Sequence, residues 1–422
     1  MKQLALLLLF MNALFALEFT ISEKGESLGD KNTVLIFGGM QGDEPGGFHA
    51  ASLLISDYNI TKGKIIVAPN LAFDSIIKRA RGVKGDLNRK FAELNKNDPD
   101  YATIQRIKEL ILRDEVGMVL NLHDGWGFYH PTFVDELKNP KRWGNSSVIE
   151  TKELADTEML KALTYFVISN NKAAFANEAS KNLPVNLRAY YHLVAIENYL
   201  KTAGIEFERD FELSPKGVQQ AINKEIIVKL FTSKILISLD KPRKDIKFVP
   251  FPLNREYDYA TSNEITAIVA DKKGYFIQYG NRFQARLHPE YFEFSDAFNE
   301  FKMEIDGEVK LVPFASKVLV KKEFMIPKIK GVRVNIIGLD KGRDESGIRV
   351  VKKNMIPQYS LDTAGKMFRV EFYELRWAML DQQAVSHIDD KIIKNAQEPS
   401  IKTYEEAKNK DKFLGSILVE FE

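Results

Sequence analysis

The chain has 422 residues, enough for two or three domains of ordinary size, and 45% of them are hydrophobic, so it can bury a sizeable core. Its 60 Lys and Arg residues nearly balance 58 Asp and Glu residues. This balance gives no basic excess of the kind that indicates a nucleic-acid-binding protein, and no acidic tail. The chain contains no cysteine, which excludes disulfide bonds.

The first 16 residues have the features of a secretory signal peptide. Lys2 gives a basic start, Leu4 begins an apolar run that is too short for a comfortable membrane span, and Ala16 offers a small residue for cleavage. We therefore predict a signal peptide over residues 1–16, with an uncleaved anchor or a first core strand as the alternative. We expect a soluble mature protein without a membrane span. Export without disulfides is typical of a bacterial periplasmic protein, so the predicted location is the periplasm.

Residues 17–243 alternate between strand-like and helix-like runs. The strand-like runs are Thr33 to Phe37, Lys64 to Ala68 and Met118 to Leu122, and the helix-like runs are Phe48 to Tyr58, Asp100 to Arg113, Tyr190 to Lys201 and Val218 to Phe231. Ser214 and Pro215 suit the cap and the first turn of the last helix. The alternation predicts an α/β domain, with a mixed, mostly parallel sheet that is flanked by helices.

The pattern changes after the polar stretch at residues 240–245. Short apolar or alternating runs replace long helical periodicity, and turn signals such as Lys273-Gly274 and Asp306-Gly307 separate them. Residues 244–422 therefore predict an all-β region that is long enough for two small modules. Residues 341–347 predict a loop near the junction of these modules.

Gln41 and Glu44 lie three residues apart on a glycine-rich turn between a strand-like and a helix-like run. A zinc hydrolase needs three protein ligands and one open position for water. We expect the third ligand at the end of another strand, and His123 follows the strand-like run that begins at Met118. Because sites in open α/β sheets gather at the carboxyl ends of strands, this position favours a ligand role for His123 over the structural role that is usual for a lone histidine.

A second candidate segment contains Asn88 and Arg89, preceded by Asp86 and Leu87. An Asn–Arg pair can bind a carboxylate, because the guanidinium group gives two parallel hydrogen bonds and the amide gives another. The alternative for this segment is an ordinary capped turn. Arg81 lies eight residues before Arg89, and it can polarise a scissile carbonyl and stabilise an oxyanion, with Arg79 as the competitor for that role.

In this order, the motifs resemble those of the zinc carboxypeptidase A-like superfamily, including its succinylglutamate desuccinylase branch. A further match is the segment from Gly204 to Leu213, which is similar to the last active-site strand of that family and shares its final Phe-Glu-Leu. The resemblance covers residues 30 to 240. It implies that Glu212 is the general base, since the spacing from the glycine favours Glu212 over Glu206 and Glu208. The alternative for each glutamate is a solvated strand face.

The same resemblance implies roles for the other candidates. One zinc ion would be held by Gln41, Glu44 and His123, Arg81 would stabilise the oxyanion, and Asn88 and Arg89 would bind the carboxylate of the substrate. Gln41 replaces a histidine that is usual at this position. An amide oxygen is a neutral and harder ligand than imidazole, so we expect the zinc ion to be held more loosely.

One subset of the family shares this glutamine: the peptidoglycan DL-carboxypeptidases that determine helical cell shape in Campylobacter and Helicobacter relatives. The resemblance implies a catalytic domain over residues 17–243, a β-barrel-like module over residues 244–335 and an immunoglobulin-like module over residues 336–422. It also implies a reaction, the trimming of muramyl tripeptide to dipeptide between γ-D-Glu and meso-diaminopimelate. The departing residue of that substrate carries a free carboxylate for Asn88 and Arg89.

Two alternatives stay open from the sequence. A desuccinylase-type amidohydrolase would use the same chemistry on small metabolites, although the predicted export disfavours it. A catalytically dead, wall-binding scaffold would explain Gln41, but the other motif positions are all retained. Tyrosines in the β region, including Tyr257, Tyr259, Tyr275 and Tyr279, would stack on sugars if they were exposed, whereas strand tyrosines usually pack inside.

Overall fold

The computed structural model describes residues 17–125, 158–253, 255, 257–376 and 410–422. The predicted signal peptide lies outside these residues, so its prediction stays open. Across the described ranges, no helix is long and apolar enough to cross a membrane.

Six α-helices and 22 strands are found in the described part of the chain. The helices are α1 (Pro45–Ser56), α2 (Phe73–Lys78), α3 (Tyr101–Leu112), α4 (Leu163–Ser169), α5 (Val185–Thr202) and α6 (Pro215–Ile222). The strands up to residue 252 are β1 (Ser22–Gly25), β2 (Thr33–Phe37), β3 (Tyr58–Lys62), β4 (Lys64–Ala68), β5 (Val116–Gly125), β6 (Ala173–Ser180), β7 (Glu206–Arg209), β8 (Ile227–Leu230), β9 (Ile235–Ser238) and β10 (Asp245–Pro252). The later strands are β11 (Tyr259–Thr261), β12 (Thr266–Asp271), β13 (Gly274–Tyr279), β14 (Arg282–Phe292), β15 (Glu300–Ile305), β16 (Glu308–Pro313), β17 (Lys317–Val320), β18 (Glu323–Met325), β19 (Val332–Ile336), β20 (Val350–Val351), β21 (Met367–Glu374) and β22 (Lys412–Phe421).

The first half of the chain is built on a five-stranded central sheet with the order β1-β4-β2-β5-β6. Its pairs β2–β4, β2–β5 and β5–β6 are parallel, and β1 is antiparallel to β4. Strands that are covered on both faces read as continuous apolar runs, and all five residues of β2 are buried. The prediction of an α/β domain with a mixed, mostly parallel sheet is confirmed.

Helices cover both faces of this sheet. Ala189, Leu193 and Ile196 of α5 share a hydrophobic core with α1 and with Val34 and Ile36 of β2. The alternate residues of β2, Leu35 and Phe37, face the opposite core with α3 and α4. The sheet therefore lies between two hydrophobic layers, and its strand ends remain accessible to the loops that carry polar residues.

The predicted helix from Val218 to Phe231 is wrong beyond residue 222. Helix α6 ends at Ile222, and the chain continues into strand β8, whose residues are alternately half-buried and buried. The hydrophobic period thus changes from helical to strand-like after three polar residues at positions 223–225. The predicted start is confirmed, because the Ser214 side chain accepts a hydrogen bond from the backbone N–H of Gly217.

The second half is all-β, as predicted. Strands β10, β14, β13 and β12 form one four-stranded sheet, and β11 joins β8 and β9 in a smaller sheet. Two further four-stranded sheets, with the orders β16-β15-β18-β20 and β17-β22-β21-β19, enclose one hydrophobic core. We call this last part, residues 300–376 and 410–422, the C-terminal β unit.

The predicted module boundary at residue 335 falls inside the C-terminal β unit. Strand β17 lies before it and pairs with β22, and β18 lies before it and pairs with β20. Side chains from both sides of the boundary, such as Phe301 and Phe372, stack in the same core. The loop at residues 341–347 joins β19 to β20, which belong to the two different sheets of this one unit.

The β region packs directly on the α/β domain of the first half. The Gln278 amide donates to the carbonyl of Ile77, and the Asn263 amide donates to the Ser52 hydroxyl of α1. The same hydrophobic core that holds α1 and α5 extends through β10–β14 to Phe413 and Leu418 of the last strand. Tyr275 and Tyr279 are buried in this core, so they offer no sugar-stacking surface.

Candidate active site

The candidate site lies at the carboxyl end of the central sheet, where the sequence places it. Gln41 and Glu44 follow β2 on the turn into α1, and His123 lies near the end of β5, the parallel neighbour of β2. All three side chains are buried, with 2%, 3% and 4% of their surface exposed. The parallel pairing brings residues about 80 positions apart to one place, as is usual for ligand sites in open α/β sheets.

The three predicted ligands converge on one ring nitrogen. The Nδ1 atom of His123 lies 2.9 Å from Glu44 Oε2 and 3.2 Å from Gln41 Oε1. Donor atoms around a tetrahedral zinc ion, each at about 2.0–2.1 Å from it, lie about 3.3 Å apart, so this donor set fits a single metal ion. Among the described residues no three His, Asp or Glu side chains form such a group, because the third donor here is an amide oxygen.

Asp86 fixes the orientation of the Gln41 amide. Its two carboxylate oxygens lie 2.9 and 3.1 Å from Gln41 Nε2, so Oε1 points toward His123. Burial raises the pKa of Asp86, but the hydrogen bond from Gln41 and the charge of Arg81 outweigh it and hold this pKa below its usual range. The negative charge that results increases the polarity of the amide, which makes its oxygen a better metal ligand.

Arg81 faces the same cluster. Its Nη2 and Nε atoms contact Asp86 Oδ2 at 2.9 and 3.0 Å, and its Nη1 lies 3.6 Å from Glu44 Oε1. Half of the Arg81 side chain is exposed, so the guanidinium group borders both the metal ligands and solvent. Arg79, the alternative candidate for stabilising the oxyanion, is exposed at the end of α2.

Asn88 and Arg89 lie on a short 3₁₀ turn at residues 87–89, which Asp86 caps by accepting from the backbone N–H of Asn88. Asn88 Nδ2 is 3.5 Å from His123 Nε2, and Asn88 Oδ1 accepts from the backbone N–H of Leu163. Arg89 is half-buried beside it and donates to the Asn88 carbonyl. Asn88 therefore borders the predicted metal ligands, whereas the Nε atom of Arg89 lies 3.6 Å from Glu158 Oε2.

Two more charges shape the electrostatics of the site. Burial lowers the pKa of His123, but the hydrogen bond with Glu44 outweighs it and raises this pKa. Lys181 lies 2.9 Å from Asp43 Oδ2 and 3.5 Å from Glu44 Oε1. Burial lowers the pKa of Lys181, while these two carboxylates outweigh it and raise the pKa, so the lysine stays charged.

Glu212 does not lie in the site. The strand that precedes it, β7, pairs with β3 in a two-stranded ribbon outside the central sheet, and the Asp210 N–H bonds the carbonyl of Asp57 at the far end of α1. Glu212 itself is exposed, on the turn that leads into α6. The prediction that Glu212 is the general base is therefore corrected. Glu212 occupies a solvent-exposed position, which is the alternative that the sequence left open.

The structure places a different glutamate beside the ligands. Glu178 of β6 is in register with His123 of β5, so the two side chains leave the same face of the parallel pair. Burial, together with the charges of Glu44 and Asp124, outweighs the opposing charges of His123 and Lys181 and raises the pKa of Glu178 to about 7. Its Oε2 atom is buried and, within the described part of the chain, has no hydrogen-bond partner.

Sequence reasoning missed Glu178 because β6 mixes small, aromatic and polar residues and gives a weak strand signal. Asn121, two residues before His123 on the same face of β5, also has a buried side chain whose amide atoms find no partner among the described residues. These orphaned atoms leave hydrogen-bonding capacity for a polar ligand or water beside the three predicted metal ligands.

Family comparisons agree with this site. A family described as the catalytic domain of carboxypeptidases controlling helical cell shape matches residues 1–156 and 150–223. A second family, described as the C-terminal domain of metallo-carboxypeptidases, matches residues 294–422. The chain belongs to the metallo-carboxypeptidases that control helical cell shape. The start of the second match, at residue 294, agrees with the start of the C-terminal β unit.

Solved structures of one relative cover nearly the whole chain. The tripeptide-bound cell shape determinant Csd4 from Helicobacter pylori is 34% identical, with a TM-score of 0.79 over 96% of this chain and 100% of that chain. Its product-bound form is 35% identical, with a TM-score of 0.80 over the same shares. Its form bound to mDAP, described as a D,L-carboxypeptidase, is 34% identical, with a TM-score of 0.79 over 95% and 100%. No curated protein matches the chain.

The family membership establishes the class of activity. The protein is an enzyme that acts on peptide bonds, a DL-carboxypeptidase of the Csd4 type, and it depends on a metal ion. The donor set at Gln41, Glu44 and His123 fits one ion, so these three residues would hold the metal.

Proposed function

We propose that the protein is a zinc-dependent DL-carboxypeptidase that trims peptidoglycan muramyl tripeptide to dipeptide in the periplasm, by cleaving between γ-D-Glu and meso-diaminopimelate. The observation that carries this proposal is the convergence of Gln41, Glu44 and His123 on one point that Arg81 and Asn88 border. Tripeptide and mDAP complexes of the Helicobacter pylori relative support the choice of substrate. The signal-peptide features of residues 1–16 support the location.

The choice of zinc rests on the donors. One imidazole nitrogen, one carboxylate oxygen and one amide oxygen leave a fourth position open, as catalytic zinc sites require. Zinc at this position would polarise the scissile carbonyl and make a water molecule more acidic.

The chain's own residues supply the other parts of the reaction. Asn88 and Arg89 bind the free carboxylate of the departing diaminopimelate and so fix the scissile bond. Arg81 donates to the carbonyl oxygen as negative charge develops on it. Glu178, in place of Glu212, accepts the proton of the attacking water and then gives it to the amine that leaves. A pKa near 7 suits both proton transfers, and burial raises the pKa of Glu178 to about 7 in the metal-free protein.

The test is digestion of muramyl tripeptide by the mature protein with zinc supplied. We expect mass spectrometry to show muramyl dipeptide and free diaminopimelate, and zinc to be retained by the wild-type protein. An acyl-amino acid such as succinylglutamate is the matched control substrate, which we expect to remain intact. Cleavage of that control alone would indicate a desuccinylase-type amidohydrolase, and the absence of both bound zinc and cleavage would indicate a scaffold.

A further inference from the structure

The carboxylate of Asp124, next to His123 in β5, has no part in the reaction described above. It is completely buried, and it accepts three hydrogen bonds from other elements. The backbone N–H of Gly46 in the first turn of α1 donates to it at 2.8 Å, Arg188 Nη1 donates at 3.1 Å, and His192 Nε2 lies 3.1 Å away. A buried carboxylate with three donors joins three elements at one point.

The two side chains that contact Asp124 are themselves held in place. The amide of Asn177 in β6 lies 2.7 Å from His192 Nδ1. In this amide orientation Nδ1 accepts, which leaves the Nε2–H to donate to Asp124. Arg188 donates to the carbonyls of Leu183 and Lys181 at 2.7 and 2.6 Å. Both donors therefore reach Asp124 from α5 in fixed orientations, because strand β6 and the loop after it hold their side chains in place.

Asp124 is linked to the metal ligands in two ways. Its backbone N–H donates to Glu44 Oε2 at 3.1 Å, the same oxygen that contacts His123. Its side chain binds the N–H of Gly46, two residues after Glu44. One residue of β5 thus holds both the carboxylate of Glu44 and the backbone that carries it, while its neighbour in sequence is the histidine ligand.

The start of α1 is pressed against this strand. A Cβ atom at Gly46 would lie 2.5 Å from Asp124 Oδ1 and 2.5 Å from the Arg188 Cβ, and one at Gly47 would lie 2.7 Å from the carbonyl oxygen of Leu122. Only glycine fits at such distances, so the two glycines allow the close approach that the Asp124 contacts need.

We propose that Asp124, braced by His192 and Arg188, positions Glu44 and His123 as a preformed ligand pair for the metal ion. This inference rests on the proposed metal site at Gln41, Glu44 and His123. A neutral amide contributes less to ion binding than imidazole does, so the affinity of this site depends strongly on how well the other two ligands are prearranged. Partners behind the ligands of a metal site typically change metal affinity by about 10–100-fold.

Asp124→Asn in the mature protein tests the proposal. We expect zinc affinity, measured by competition with a chromophoric chelator, to fall about 10–100-fold, and the activity lost at low zinc to return as zinc is raised. Asp362→Asn is the matched control, because Asp362 is also buried and accepts the N–H groups of Lys366 and Met367 in the C-terminal β unit. It should lower the melting temperature and leave zinc affinity unchanged.

A pair of substitutions at His192 provides a second measurement, which also decides the matter if Asp124→Asn does not fold. His192→Gln keeps an N–H donor for Asp124 and should bind zinc nearly as the wild type does, whereas His192→Ala removes the donor and should bind it more weakly. Unchanged zinc affinity in folded Asp124→Asn, or equal affinities of the two His192 variants, would overturn the positioning role alone. A wild-type protein that binds no zinc would contradict the proposed function as well.

Discussion

Two glutamates in the first half of the chain, Glu178 and Glu212, belong to or follow short strands, but only one of them reaches the candidate site. Glu178 belongs to β6, the edge strand of the central sheet, and it is buried beside His123. Glu212 follows β7, which pairs with β3 in a ribbon outside that sheet, and it is exposed. The local sequence of each segment allows a catalytic carboxylate. The pairing of the strand, which depends on residues far away in the chain, decides which glutamate reaches the metal ligands.

Substitution of Glu178 is the strongest test of the difference between these two glutamates. Glu178→Gln keeps the size of the side chain and removes the base, so we expect kcat for release of diaminopimelate to fall by about 10²–10⁴-fold. Zinc affinity and melting temperature serve as controls and should stay close to the wild-type values. A variant that retains most of the wild-type kcat would show that β6 does not supply the base.

A smaller loss is expected at Arg81, which borders the same edge of the central sheet. Arg81→Met removes the donor to the developing oxyanion, and we expect kcat to fall by about 10²–10³-fold. Arg79→Met is the matched control, because Arg79 is exposed nearby at the end of α2. Equal effects of the two substitutions would argue against a specific role for Arg81.

The pH dependence of the rate sharpens the assignment of Glu178. Burial raises the pKa of this carboxyl to about 7 in the metal-free protein, and a bound cation would favour the carboxylate and lower this pKa. Because only the deprotonated group acts as base, kcat/KM should fall about tenfold per pH unit below that pKa. We therefore expect the acidic limb of the profile at or below about pH 7. The residual activity of Glu178→Gln should lack this limb.

The smallest effect is expected in the outer ribbon. Glu212→Gln changes an exposed side chain, so kcat, KM and zinc affinity should all remain at wild-type values. This substitution is also the matched control for Glu178→Gln, since both exchange a glutamate that follows or belongs to a short strand. A loss of activity in Glu212→Gln comparable to that in Glu178→Gln would remove the distinction between the two regions.

Much of the fold follows from short-range patterns in the sequence. The apolar spacing of Ile104, Ile107, Leu110 and Ile111 predicts α3, and all four side chains are buried in it. The runs that begin at Thr33 and Lys64 are strands with the predicted bounds. These elements were predictable because their hydrophobic period is regular over their whole length.

The metal-ligand candidates were predictable for a related reason. Gln41 and Glu44 follow the apolar strand β2, and His123 lies near the end of the apolar strand β5. The ends of neighbouring parallel strands meet at one edge of a sheet. The position of Glu178 was not predictable from the sequence, because its strand contains Asn177 and small residues. Only the register of β6 with β5 shows that Glu178 faces the site. Strands on both sides of the predicted boundary at residue 335 share one core, and this exchange of strands between two sheets has no local signal in the sequence.

The position of β22 has a consequence for how the protein is made. This strand follows the other strands of its sheet in sequence, yet it lies between β17 and β21 inside the sheet. Its residue Phe413 also packs against Phe294, and its Ser416 N–H bonds the carbonyl of Lys234. Residues up to Phe421 must therefore be synthesised before the sheet that contains β17 and β21 can close. A stop codon just before Lys412 would leave β17 and β21 without the strand that pairs with both of them.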